Sequence, residues 1–151
     1  MKGIEGSRIL VIDDEESIRK SLAAILEEEG YIVDTAENGK VAIEKSRAKA
    51  YNLALIDIRL PDMSGVQLLT SLKEALPKTV KIIITGYPSL ENAVEAVNKG
   101  GDGYLIKPFD MDKLLGMIKE HLRKQQEDRK YSEQKVAEFI DTRARELESQ
   151  P

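Results

Sequence analysis

Five polar residues stand at the ends of apolar runs: Asp13 and Asp14 after "RILVI", Asp57 closing "LALID", Thr85 closing "KIIIT" and Lys107 closing "GYLIK". An ionisable group at the end of a run that reads as buried is costly unless it is paired. Three carboxylates brought within a few ångströms repel by about 4 kcal/mol per close pair when the effective dielectric is near 20, so they need a counterion. Oxygen donors without imidazole or thiolate select a hard divalent cation. Mg²⁺, which keeps several waters, suits the set better than Ca²⁺, which takes a fuller oxygen cage. The rim then has room for one more anion. Lys107 brings a point charge and Thr85 a donor, a pair suited to a phosphoryl group. Singly, each residue has an ordinary explanation: an Asp as helix N-cap, a Thr as β-former, a Lys as solvated charge. Jointly they do not, because clustered titratable groups at a strand rim mark function.

The residues share a rim only if the runs are parallel strands. Short β-branched runs fall at 8–13, 31–35, 53–57, 81–85 and 103–107. Between them lie segments with helical spacing, carrying Ile18, Leu22, Ile25 and Leu26; Val41, Ala42 and Ile43; Val66, Leu68, Leu69 and Leu72; Leu90, Val94 and Val97; Leu114, Leu115, Ile118 and Leu122. A fivefold βα alternation with continuous apolar strands predicts an α/β fold, a doubly wound parallel sheet covered on both faces. "ILVI", "LALI" and "IIIT" read as interior strands, and the more mixed "YIVDT" and "GYLIK" as edges. Gly30 and Gly100 with Gly101 mark helix ends, Ser64 with Gln67 resembles a capping box, and Asp110 is a candidate N-cap for the fifth helix. In such a sheet ligands bind outside the carboxyl ends of the strands, where the five polar residues fall.

No Gly or Pro interrupts the chain from Met117 to Gln150, so the fifth helix is expected to continue far past the domain edge. Residues 123–150 hold seven Lys or Arg and seven Asp or Glu, with i,i+4 pairs such as Arg123 with Glu127 and Asp141 with Arg145. Val136, Phe139, Ile140 and Leu147 form a short apolar stripe. A dimer seam continued from Leu115, Ile118 and Leu122 meets Gln125, Arg129 and Ser132 before recovering at Val136, so a coiled coil would be weak at its centre.

Composition narrows the classes further. With no cysteine and one histidine, His121, a disulfide framework, a thiolate site and a multi-histidine metal cage are excluded. No apolar run approaches the roughly 20 residues of a membrane span and the N-terminus lacks a signal-peptide core, so a cytoplasmic location is expected, with no membrane partner. A formal charge of -4 makes direct nucleic-acid binding unexpected.

The segments "VIDDEESIR", "LALIDIRLPDMSG", "IIITG" and "GYLIKPF", in that order, resemble the response-regulator receiver domain of two-component signalling. The resemblance covers about residues 7–122, leaving 123–151 as a charged helical extension or linker. It implies a flavodoxin-like (βα)5 fold with strand order 2-1-3-4-5. It further implies that Asp57 accepts a phosphoryl group from a histidine kinase or phosphotransfer protein, and that Mg²⁺ is held by Asp13, Asp14, Asp57 and the main-chain carbonyl of Arg59. Lys107 would pair with phosphoryl oxygens, and Thr85 would close onto them after transfer. Tyr104 would then couple the site to the face of helix four, strand five and helix five. Arg59 and Tyr87 occupy positions that bear on the lifetime of the acyl phosphate, and a cis bond is expected before Pro108. The chain would catalyse only its own phosphoryl transfer and slow autodephosphorylation.

Three outputs are compatible with the residues. The first is a stand-alone switch that docks to a downstream protein, with homodimerisation on phosphorylation. The second is the receiver-plus-linker portion of a larger transcriptional regulator. The third is a Mg²⁺-dependent phosphohydrolase with an aspartate nucleophile, which lacks an acid/base aspartate two residues after Asp57, where Arg59 stands. A flavin carrier fits the fold, but three carboxylates would repel the flavin phosphate.

Overall fold

The computed structural model describes residues 3–75 and 77–148. Five strands and five helices alternate: β1 Arg8–Ile12, α1 Glu16–Glu28, β2 Ile32–Ala36, α2 Gly39–Ala48, β3 Leu53–Asp57, α3 Gly65–Ser71, β4 Val80–Thr85, α4 Leu90–Asn98, β5 Gly103–Ile106 and α5 Met111–Glu148. All strand pairings are parallel, in the order β2-β1-β3-β4-β5. The expected fold and strand order both hold. Because side chains alternate across each strand, Ile9, Val11, Leu53, Leu55, Ile82 and Ile84 pack with α1 and α5 on one face. Leu10, Ile12, Ala54, Ile56 and Ile83 pack with α2, α3 and α4 on the other. Burying each such aliphatic chain contributes about 1.5–3 kcal/mol, so the three central strands are the rigid part of the molecule.

The punctuation works as read. Gly30 takes a φ of 95°, and the amides of Gly30 and Tyr31 donate to the carbonyls of Glu27 and Leu26, closing α1 with a left-handed turn. Gly100, at a φ of 93°, ends α4 in the same way. Ser64 and Gln67 form a reciprocal capping box on α3, and Asp110 accepts from the Asp112 amide at the start of α5.

Helix α4 forms where the spacing predicts it, but turns its larger apolar residues outward. Leu90, Val94 and Val97 do not face the sheet; Leu90 is 81% exposed and Val97 69%. The inward side carries small residues instead, with Ala96 buried and Ala93 half-buried. Periodicity identified the helix but not its inward side, because an alanine face lets the helix lie close to the sheet while the larger apolar chains remain outside.

Helix α5 spans 38 residues, about 57 Å at 1.5 Å per residue, and leaves the body after Gln126. The expected helical extension holds through Glu148; residues 149–151 lie outside the described residues. Asp141 pairs with Arg145 as read, whereas Arg123 does not pair with Glu127 and Arg129 pairs with Glu133. Val136, Phe139, Ile140 and Leu147 are all exposed. Gln125 is not merely a break in a seam. Its amide nitrogen donates to the carbonyls of Asn52 (2.9 Å) and Lys78 (2.8 Å), and its oxygen accepts from the Asn52 amide at 3.2 Å. Asn52 in turn accepts from the Arg8 amide, so Gln125 brackets α5 to the amino-terminal ends of the strands. None of the helices among the described residues is long and apolar enough to cross a membrane.

Candidate functional site

Register brings the polar strand ends together. Ile12 lies beside Ile56, Asp57 beside Ile84, and Thr85 beside Ile106, so Asp13, Asp57, Thr85 and Lys107 emerge at one rim. Lys107 Nζ donates to Asp13 Oδ2 and to Asp57 Oδ2, each at 3.2 Å. Asp13 and Asp57 are 3% and 8% exposed, whereas Asp14 faces solvent. One carboxylate oxygen from each of Asp13, Asp14 and Asp57 lies within 4.8 Å of the others. This all-oxygen donor set fits a hard divalent cation with several waters retained.

The electrostatics are unbalanced. Burial, with the Asp57 charge adding to it, pushes the Asp13 carboxyl above its usual range, although the Glu15 amide and Lys107 pull the other way. Burial also disfavours the Lys107 ammonium, but Asp13 and Asp57 outweigh it and raise that pKa. One lysine is thus shared between two carboxylates, with a third close by. The rim has a deficit of positive charge.

Main-chain contacts fix these groups. Asp13 Oδ1 accepts from the Glu15 amide at 2.9 Å, and Arg19 Nη1 donates to the Asp13 carbonyl at 2.7 Å. Asp57 Oδ1 accepts from the Arg59 amide at 3.0 Å. Gly65 opens α3 so near the strand that a Cβ would stand 2.2 Å from the Asp57 carbonyl oxygen, and its amide donates to the Ile58 carbonyl at 2.8 Å. Only glycine fits there, and it lets the chain fold straight back from Asp57 into a helix. Thr85 is fully buried, and its Oγ1 accepts from the Tyr87 amide at 2.9 Å. The Lys107–Pro108 bond is cis, as expected. Over the rim, the Arg59 guanidinium lies 3.5 Å from the centroid of the Tyr87 ring.

The family profile described as the response regulator receiver domain matches residues 9–119. The chain belongs to the response-regulator receiver family. Over 114 residues the receiver is 44% identical to the transcriptional regulatory protein ZraR of Klebsiella oxytoca, an alignment covering 76% of this chain and 26% of that protein. The chain thus spans about a quarter of the length of that relative. Among solved structures, a CheY-like receiver domain protein from Methanospirillum hungatei superposes with a TM-score of 0.78 at 43% identity, covering 82% of this chain and 99% of the other. A response regulator from Burkholderia pseudomallei, solved with a phosphorylated aspartic acid, a calcium ion and citrate, gives 0.68 at 36% identity, over 72% and 64% of the two chains.

Within the receiver, Asp13, Asp14, Asp57, Thr85 and Lys107 stand together, and Arg59 follows directly on the β3–α3 loop. Tyr104 stands apart on β5 beside Ile83, its ring packed with the core residues that face α3 and α4. Its hydroxyl is buried without a hydrogen-bond partner among the described residues. Sequence reasoning did not find Arg19 or the steric demand on Gly65. The second had a signal in the short span between Asp57 and the "SG" at the start of α3, which leaves room only for a tight reversal. A buried Lys81 was also missed: its ammonium donates to the Leu69 carbonyl at 2.6 Å near the end of α3, and burial lowers its pKa.

Proposed function

We propose that this receiver takes a phosphoryl group onto Asp57 from the phosphohistidine of a histidine kinase or phosphotransfer protein. The observation that carries this reading is the single ammonium of Lys107 held 3.2 Å from both Asp13 and Asp57 at the carboxyl edge of the sheet. An Asp57 carboxylate oxygen attacks phosphorus, forming the P–O bond as the P–N bond breaks, and the departing imidazole keeps the electron pair. A rigid strand end holds the nucleophile, and Lys107 stands ready to pair with the incoming phosphoryl oxygens. Mg²⁺ would be held by Asp13, Asp14, Asp57 and the Arg59 carbonyl, and would neutralise the charge gathered there. The Thr85 oxygen accepts from the Tyr87 amide, which leaves its hydroxyl proton free to turn toward a phosphoryl oxygen. Phosphorylation adds nearly two negative charges, the pull that such a movement needs. Tyr104, with its unpaired hydroxyl, lies next in line toward the α4–β5–α5 face.

That face is suited to output, because Leu90, Val94 and Val97 of α4 and Ile106 of β5 are exposed together. A second reading of the output is favoured by α5. A helix running about 39 Å beyond Leu122 reads as the start of a linker to the output module of a longer transcriptional regulator. The chemistry at Asp57 is stoichiometric on either reading. Arg59, the residue at the acid/base position of a phosphohydrolase, presents a guanidinium stacked on Tyr87.

The test is incubation with Mg²⁺ and a small-molecule phosphodonor such as acetyl phosphate, followed by intact-mass spectrometry. Wild type gains the mass of one phosphoryl group and Asp57→Asn gains none. Equal labelling of the two would overturn the assignment, and sustained turnover of phosphoesters would favour the hydrolase.

A further inference from the structure

The loop that follows Asp57 is held at both ends. At its neck the Gly65 amide donates to the Ile58 carbonyl, and Arg59 and Ser64 form an antiparallel bridge. Its tip is held elsewhere, by a helix that contributes nothing to the rim. Asp62 Oδ1 accepts from the Gly39 amide and Asp62 Oδ2 from the Lys40 amide, each at 2.9 Å. Gly39 and Lys40 open α2, so this carboxylate caps a helix that begins 23 residues before it. Met63 completes the contact: a Cβ on Gly39 would stand 2.4 Å from the Met63 sulfur. Helix α2 already has a cap of its own, since Asn38 Oδ1 accepts from the Val41 amide at 2.8 Å. A second, exposed cap adds little to the stability of α2, because water competes for both partners. Its geometric effect is larger. A narrow loop fixed only at its neck could tilt, and a tilt would redirect the Arg59 carbonyl.

We propose that Asp62 is a positioning residue for the metal-binding loop, fastening its tip to the amino terminus of α2 so that the Arg59 carbonyl stays aimed at the ion. The proposal rests on the Mg²⁺ reading of the rim. Asp62 acts through the loop and touches neither ion nor phosphoryl group.

The experiment compares wild type with Asp62→Ala and Asn38→Ala by calorimetric titration with Mg²⁺ and by amide hydrogen exchange without it. Both variants remove a side-chain cap from the same helix end, but only the first releases the loop. Asp62→Ala is expected to weaken Mg²⁺ binding about tenfold, the scale typical of groups that orient a ligand. It is also expected to speed exchange at Arg59 and Gly65, while Asn38→Ala leaves both readouts at wild-type values. Wild-type affinity in Asp62→Ala, or equal weakening in the two variants, would overturn the proposal and leave the Mg²⁺ reading standing. Absence of Mg²⁺ binding by wild type would instead remove that reading, and this proposal with it.

Discussion

The two ends of the sheet solve opposite problems. At the carboxyl end, three carboxylates and one shared lysine are gathered with too little positive charge, and Asp13 is pushed above its usual pKa. At the amino end, Asn52 and Gln125 use neutral amides, and the donors and acceptors answer one another: Asn52 binds the Arg8 amide while Gln125 binds the carbonyls of Asn52 and Lys78. One rim stores unfavourable negative charge that a cation would relieve and a phosphoryl group would add to. The other spends its polar groups on holding elements together. Hydrogen-bonded amides cost little to bury and gain little from a ligand, whereas crowded charges make a site responsive.

The comparison can be broken most directly at Asp13. Asp13→Asn is expected to weaken Mg²⁺ binding at least tenfold by calorimetry, yet to stabilise the metal-free protein by about 1 kcal/mol in denaturant melts, because it removes charge from a crowded rim. A loss of stability would mean that the carboxyl end is as well satisfied as the amino end. Gln125→Ala reverses the pattern. It is expected to cost about 1–2 kcal/mol of stability through the lost bonds to Asn52 and Lys78, with the rate of labelling at Asp57 unchanged.

Two smaller effects sharpen the contrast. Tyr87→Ala removes the ring on which Arg59 stacks and opens the rim to water, so the decay of the acyl phosphate is expected to quicken about threefold. An unchanged half-life would assign Tyr87 to loop packing alone. Lys81 tests the interior near the amino end. Burial lowers its pKa below the ordinary 10.5, so folding is penalised while the amine is charged in both states. Stability should therefore rise with pH between the folded pKa and 10.5, and Lys81→Met should abolish that rise.

How legible each end was in the sequence follows from the same difference. Asp13, Asp57, Thr85 and Lys107 could be found because each closes an apolar run, and parallel topology sends all such ends to one rim. Strand polarity separated interior from edge strands, the full strand order came from the family resemblance, and the length of α5 was legible from the absence of Gly and Pro. Gln125 was read as a defect in a seam because an amide has no sequence signature for a partner 73 residues away. Asp62 was likewise hidden, its partners lying on another helix. The inward face of α4 was not legible because two alanines carry a weaker hydrophobic signal than Leu90, Val94 and Val97, although close packing favours the smaller side.

The Gln125 bracket also gives α5 a fulcrum. From Met111 to Gln125 the helix rises about 21 Å, and from Gln125 to Glu148 about 35 Å, at 1.5 Å per residue. Leu114, Ile118 and Leu122 pack the shorter arm into the core, so a change of angle at the bracket is felt by the longer arm, where a tilt of about 1° would carry Glu148 through roughly 0.6 Å.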